Sequence, residues 1–110
     1  MSGPGTGAVA PLAIAITAAN TGATNATNAA AKWGNQAQIL TDALVPIMLQ
    51  QPPPSSETAW TAWDNSVKEL SQKLEWCLAC QAESTNTALA FTAISTALAA
   101  VSAWASADTL

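Results

Sequence analysis

The stretch QQPPPSSETAWTAW, residues 50–63, decides the fold that we predict for this chain of 110 residues. Each of its three prolines holds its own φ near about −65° and disfavours helical geometry in the residue before it. The run therefore ends any helix that precedes it. Ser55 or Ser56 then offers a side-chain oxygen to the first turn of a new helix, and Glu57 suits the positive end of the helix dipole. We predict a rigid turn over residues 52–56, with a helix on each side.

The strongest helical pattern follows this turn. Apolar residues recur at alternating spacings of three and four, at Trp60, Trp63, Val67, Leu70, Leu74 and Cys77. Such a stripe is typical of an amphipathic helix that packs along one face. Asp64 with Lys68 and Glu69 with Lys73 have the spacing of ion pairs on the opposite face. Because no Gly or Pro occurs after the prolines, we predict one long helix over residues 57–106, roughly 75 Å at 1.5 Å per residue.

A shorter helical pattern precedes the turn. Its apolar positions Trp33, Ala37, Leu40, Leu44 and Met48 have spacings of four, three, four and four. They predict a first helix over residues 32–51. Pro46 lies inside this segment, where it removes a backbone donor, so we expect a kink there or a helix that ends near Leu44. The residues expected to pack between the two helices are Trp33, Leu40, Leu44, Trp60, Trp63, Val67 and Leu70.

Residues 1–31 form a low-complexity segment rich in Gly, Ala, Thr and Asn, without a charged side chain. Asn and Thr compete for backbone hydrogen bonds, and the segment lacks a clear helical or strand period. We therefore predict an extended or irregular segment that becomes ordered when copies of the chain assemble. The predicted fold class is all-α: a helical hairpin with a long C-terminal helix and this N-terminal segment.

The charge content limits the classes of partner. Only 9% of the residues are charged, and the net charge is −4 with three lysines as the only cations. Binding of nucleic acid needs clustered Lys and Arg, and so does binding to an anionic membrane surface. We expect neither nucleic acid nor such a surface as a partner.

No set of residues predicts catalysis, a cofactor or a metal. The chain has no histidine, which excludes the common Ser-His and Cys-His arrangements. Cys77 and Cys80 form one Cys-x-x-Cys, but a metal site needs two further ligands, and WCLAC lies within a helical pattern. We interpret the pair as small buried residues, and we expect that the protein is not an enzyme and has no cofactor.

The C-terminal half of the long helix predicts partners. After residue 87 it is nearly uncharged on every face, and a helix that is apolar all round is normally buried. A short first helix cannot cover it, so we expect copies of the same chain to do so. The candidates for contact between subunits are Leu12, Ile14, Ile16, Trp76, Leu89, Phe91, Ile94, Leu98, Val101 and Trp104.

Export is expected without a cleaved signal. Residues 8–20, AVAPLAIAITAAN, are apolar, but no cation precedes them and Pro11 interrupts them. They are also too short for a membrane span, which takes about 20 apolar residues. We therefore expect no membrane-spanning segment.

Two parts of the chain carry a resemblance to a known family. They are PPPSS at the turn and WCLACQAESTNTALAFTAISTAL, residues 76–98, in which Ser-Thr follows an aromatic residue by eight positions. Over about residues 40–101 the pattern resembles the needle-filament subunits of type III secretion systems. The resemblance implies a hairpin that polymerises into a hollow helical tube through which unfolded proteins pass. It also implies that the chain is cytoplasmic before assembly, where a secretion chaperone is a further partner, and secreted or at the cell surface afterwards.

Two other classes stay open. Lys32-Trp33-Gly34, followed by a helix that contains Trp-Asp, is similar to the small Trp-x-Gly helical hairpins exported by type VII secretion. In those proteins the motif sits in the turn between the helices, whereas here the turn is at the prolines. The third class is a soluble helical adaptor that binds one partner through its apolar C-terminal half.

Overall fold

The structure is a computed structural model that describes residues 6–107, with side chains from Gly7 onward. A 3-10 turn over Thr6–Ala8 leads into helix α1, Val9–Leu49, and helix α2 covers Glu57–Ala107. The two helices are joined as a hairpin, so the predicted all-α hairpin class is confirmed. The second helix has almost the predicted bounds of 57–106.

The prediction for the N-terminal segment is wrong over its described part. We expected residues 1–31 to be irregular and the first helix to begin at residue 32. In the structure, helix α1 already begins at Val9. Residues 1–5 lie outside the described part of the chain. The helical pattern of this segment is carried by small residues. The positions of one face recur at spacings of three and four, and most of them are Ala or Gly. These positions are Leu12, Ala15, Ala19, Gly22 and Ala26, all buried or half-buried.

The threonines of this segment do not compete with the helix. The hydroxyls of Thr17, Thr24 and Thr27 donate to the carbonyls four residues earlier, at 3.0, 3.1 and 2.8 Å. Each hydroxyl is therefore satisfied inside an intact helix and does not stabilise a non-helical turn.

Helix α1 continues through Pro46, so the expectation of an end near Leu44 is wrong, whereas a kink at Pro46 stays a prediction. The helix closes when the backbone N–H of Gln50 donates to the carbonyls of Pro46 and Ile47, at 3.2 and 3.3 Å. Pro46 is tolerated because it removes a single backbone donor within one turn of the helix end.

Hydrogen bonds within and beside the predicted turn fix the corner between the helices. The Ser56 N–H donates to the Pro53 carbonyl at 3.1 Å, and the Ser56 hydroxyl accepts from the Ala59 N–H at 3.3 Å. Ser56 is thus the N-cap of α2, as one of the two predicted serines. The indole of Trp60 donates to the Pro53 carbonyl at 3.0 Å, and that of Trp63 to the Ile47 carbonyl at 2.7 Å.

Replacing Ser56 with alanine is expected to lower the free energy of unfolding by about 1 kcal/mol, because an N–H of the first turn of α2 loses its acceptor. Urea denaturation followed by far-UV circular dichroism measures the change. Ser55→Ala is the matched control, since Ser55 lies one residue before the cap, and it should change stability by less than half as much. Equal effects of the two substitutions would contradict the assignment of the cap.

Contacts divide the chain into two compact units. The corner unit is Ala29–Glu83, and the terminal unit combines the described parts of Met1–Asn28 and Ser84–Leu110. In the corner unit, Leu44, Ala37 and Cys77 are buried. Trp33 of α1 meets Trp76 of α2 edge to face, with ring centroids 5.0 Å apart, and Trp60 meets Trp63 in the same way at 5.4 Å.

In the terminal unit, α1 and α2 pack closely because α1 contributes small side chains to the contact. A Cβ added to Gly22 would lie 3.0 Å from the Phe91 ring, and Ala19 and Ala105 are buried. The Ser95 hydroxyl donates to the Asn20 amide oxygen at 2.6 Å. Because earlier residues of α1 meet later residues of α2, the two helices are antiparallel in this unit.

The buried side of α2 follows one strict pattern, which we call the seam. Its spacings alternate between three and four along the helix, the period of a left-handed coiled coil. Every position is buried or half-buried: Trp60, Trp63, Val67, Leu70, Leu74, Cys77, Gln81, Ser84, Ala88, Phe91, Ser95, Leu98, Ser102 and Ala105. The seam continues through the polar residues Gln81 and Ser84, which are half-buried like their neighbours on the seam.

Candidate interaction surface

The two units differ in charge. Nine of the ten charged residues lie in the corner unit: Lys32, Asp42, Glu57, Asp64, Lys68, Glu69, Lys73, Glu75 and Glu83. With three lysines and six acids, that unit has a net charge of −3. The tenth, Asp108, lies outside the described residues. Within the described part of the terminal unit, no side chain is charged.

Large apolar side chains nevertheless reach the surface of this uncharged unit. On α2 they form a second row beside the seam, which we call the outer stripe: Ala90, Ile94, Ala97, Val101 and Trp104. All five are exposed, with Ile94 at 48% and Trp104 at 50% of full accessibility. Their spacings of four, three, four and three repeat those of the seam. A row with this period can pack lengthwise against another helix.

The polar side chains of the terminal unit are suited to burial. Besides the three threonines of α1, Thr92 and Thr96 of α2 donate to carbonyls four residues earlier, at 2.9 and 3.0 Å. A buried hydroxyl without a partner destabilises a protein, whereas a hydroxyl bonded to its own helix does so less. Contact with another apolar surface would therefore leave these five donors satisfied.

The predicted subunit-interface residues fall into two groups. Leu12, Ile16, Phe91 and Leu98 are half-buried, and Phe91 contacts α1 at Gly22. Leu98 lies on the seam beside it. A contact of these four residues with another subunit stays a prediction. The others are exposed: Ile14, Trp76, Leu89, Ile94, Val101 and Trp104.

Trp76 combines both roles. It was expected to contact another subunit, but its ring packs on Trp33 within the same chain. It is still 61% exposed, so a contact with another subunit stays a prediction for its outer face.

The first helix is longer than expected. Helix α1 has 41 residues, and its N-terminal part packs along α2 in the terminal unit. The uncharged half of α2 is therefore covered on the seam side by its own chain. The large apolar residues of this half that stay exposed are Leu89, Ile94, Val101 and Trp104.

The residues expected to pack between the helices are all at least half-buried. Leu44 is buried, and the other six, Trp33, Leu40, Trp60, Trp63, Val67 and Leu70, are half-buried. Trp60 contacts the turn at Pro53 and the ring of Trp63, while Trp63 reaches the end of α1.

Sequence reasoning missed several exposed apolar residues. Ile39, Val45 and Leu49 of α1 and Leu78 of α2 are exposed in the corner unit. The small members of the outer stripe, Ala90 and Ala97, were also missed, although their spacing to Ile94 and Val101 was a signal in the sequence.

The candidate chemical groups are arranged as structural residues. Cys77 is buried on the seam and Cys80 is half-buried, both as free thiols. In the part of the chain that the structure describes, no three potential metal ligands cluster. Asp64 pairs with Lys68 at 2.9 Å and Glu69 with Lys73 at 3.0 Å, as predicted, and both pairs are exposed.

Helix α2 also meets the requirements of a membrane span by length and composition alone. Only 6% of the qualifying stretch is buried. A single such helix is weak evidence, because helices of soluble proteins meet the same requirements. The expectation of no membrane-spanning segment stays a prediction.

Fold and surface together define a class: a two-helix hairpin with a charged unit at its corner and an uncharged unit that exposes an apolar stripe. No protein-family model, no curated protein and no solved structure matches the chain.

Proposed function

We propose that this chain is a non-catalytic structural subunit that self-assembles into a helical filament or tube. The observation that carries the proposal is the segregation of charge, with nine charges in the corner unit and none in the described terminal unit. Solubility of a free subunit does not require an uncharged half with an exposed apolar stripe. Burial of that half between subunits accounts for both properties.

Copies of the chain are the partner that the charges favour. Two corner units, each with a net charge of −3, would repel each other if they met face to face. The described part of the terminal unit has no charged side chain, so such repulsion does not arise on its surface. Burial of apolar area contributes about 25 cal/mol per Å², so the outer stripe can drive association without a charged partner.

The type of filament rests on the resemblance to secretion needles. Three parts of the proposal come from this resemblance. They are a needle or pilus-like appendage on the cell surface, an export route without a cleaved signal, and a secretion chaperone. An exported type VII hairpin and an adaptor with one partner are the alternatives. The Trp33-Gly34 pair lies inside α1 and not in the turn, which weakens the type VII alternative.

Substitution of Ile94 with aspartate tests the proposal. An unpaired carboxylate in the contact is expected to raise at least tenfold the protein concentration at which half of the chain is assembled. Leu78→Asp is the matched control, because Leu78 lies on the same helix with the same 48% exposure but in the charged unit. It should assemble like the unmodified chain. Light scattering gives the mass, negative-stain electron microscopy the particle shape, and circular dichroism the helicity.

Three outcomes would overturn the proposal. The unmodified chain could stay monomeric at every concentration. It could form a stable one-to-one complex with an unlike protein, which favours the adaptor or type VII alternative. It could also enter phosphatidylcholine vesicles as a monomer, in which case lipid and not protein covers the outer stripe.

A further inference from the structure

One side of the terminal unit joins apolar residues from both helices. Ala18 comes directly before Ala19, the buried residue of α1, and Ile94 and Val101 come directly before Ser95 and Ser102 of the seam. A step of one residue turns a side chain by about 100° around the helix axis. In an antiparallel pair of helices, the residue that comes one position before a contact residue points to the same side of the pair on both helices. Ala18, Ile94 and Val101 therefore share one face.

The register between the helices aligns the residues of this face along its length. Ser95 is hydrogen-bonded to Asn20, and Ile14 and Val101 each lie six residues from that bond, in the direction of the chain ends. At 1.5 Å per residue, both are about 9 Å from it and so lie at the same level. The exposed apolar residues of the face, which we call the uncharged face, are Ile14, Ala18, Ile94, Ala97, Val101 and Trp104. By the same one-residue step, the polar and uncharged Thr21 and Asn25 also lie on it.

The geometry points to one arrangement of two copies: the uncharged faces pack against each other in antiparallel orientation, with the outer stripe of α2 on that of its partner. This inference rests on the proposed self-assembly and specifies its first contact. It is an isologous contact, in which the same surface of both copies meets itself. Ala97 lies near the middle of the outer stripe and hence close to the two-fold axis.

The available area is sufficient for a stable pair. Residues 9–28 of α1 and 84–107 of α2, 20 and 24 residues, are about 30 and 36 Å long. Two helices side by side are about 20 Å wide, so the face covers about 600 Å² per copy and the pair buries about 1,200 Å². That is the lower end of the range for specific, stable interfaces.

The charges select the antiparallel orientation. In each copy, the chain enters the charged corner unit at Ala29 and returns from it at Ser84. A parallel pair would bring the two exits to the same end, and each exit is the covalent link to a unit with a net charge of −3. The antiparallel pair places the exits at opposite ends, which separates like charges.

A two-fold contact closes on itself, so a filament needs a second contact between subunits. Leu89, which is 64% exposed, is the available large apolar residue of the terminal unit for this second contact.

A pair of opposite charges at residue 97 tests the two-fold contact. Ala97→Asp alone and Ala97→Lys alone should each weaken assembly at least tenfold, since each new charge meets its own copy across the axis. An equimolar mixture of the two variants should assemble at least tenfold better than either alone, as complexes that contain both in equal amounts. Ala62→Asp and Ala62→Lys are the matched controls, because Ala62 is an exposed alanine of α2 in the corner unit. They should leave assembly unchanged.

The outcomes separate this inference from the proposed function. Recovery in the mixture, measured by light scattering and by affinity capture of one tagged variant, supports the two-fold contact. If the Ala97 variants assemble like the unmodified chain, or weaken without recovery, the arrangement is wrong while self-assembly stands. If the unmodified chain is monomeric, both fall.

Discussion

Replacement of Trp63 with alanine lowers the free energy of unfolding by an expected 3–5 kcal/mol, about the cost of truncating a large aromatic side chain in a packed site. Two contacts are lost at once: the edge-to-face contact with Trp60 and the hydrogen bond to the Ile47 carbonyl. That carbonyl belongs to the last turn of α1, where its other donor is the Gln50 N–H at 3.3 Å. Urea denaturation at a fixed protein concentration measures the loss.

Two further substitutions separate the contributions at this corner. Trp63→Phe keeps most of the ring and removes the N–H, so a loss of about 1–2 kcal/mol is expected. Trp60→Ala should cost less than Trp63→Ala, since Trp60 bonds to the exposed turn at Pro53 and not to α1. If Trp63→Ala costs no more than Trp60→Ala, the tie between the two helices does not depend on Trp63.

Gly22→Leu is expected to destabilise the terminal unit by about 2–3 kcal/mol, the upper part of the range for overpacking. A Cβ at this position would lie 3.0–3.1 Å from three atoms of the Phe91 ring, and a leucine extends further into the same space. The ring cannot move aside without losing its own packing on α1. Hydrogen exchange of amides in residues 84–107, together with urea denaturation, reports the loss of this packing.

The controls for Gly22 distinguish crowding from helix propensity. Gly22→Ala should cost less than the leucine, because alanine favours helix over glycine by about 1 kcal/mol and so offsets part of the close contact. Gly7→Leu adds a side chain where nothing lies within 4 Å and should change stability by less than about 0.5 kcal/mol. A neutral Gly22→Leu would show that the helices do not approach closely there.

The corner and α2 could be predicted from the sequence because their signals are local. Three prolines exclude a helix, Ser56 caps the next one, and large side chains mark the seam from Trp60 to Cys77. The N-terminal half of α1 could not be predicted in the same way. Its packing face consists mainly of Ala and Gly, which contribute little to a hydrophobic pattern. These small residues matter because they allow the two helices to approach closely.

The same property explains why the predicted contact residues fall on two rows. Phe91, Ile94, Leu98 and Val101 were predicted as one set, whereas the structure places Phe91 and Leu98 on the seam and the other two on the outer stripe. The small Ser95 and Ser102 occupy the seam positions next to Ile94 and Val101, which remain outside.

In the proposed assembly the uncharged half, and not the charged corner, holds the subunits together. Light scattering at low and high salt tests this through the mass of the unmodified chain. We expect particles many times heavier than the 11.2-kDa subunit, with a mass that is unchanged or greater at high salt, because burial of apolar surface is not screened. An 11.2-kDa monomer, or particles that dissociate as salt is added, would contradict this proposal.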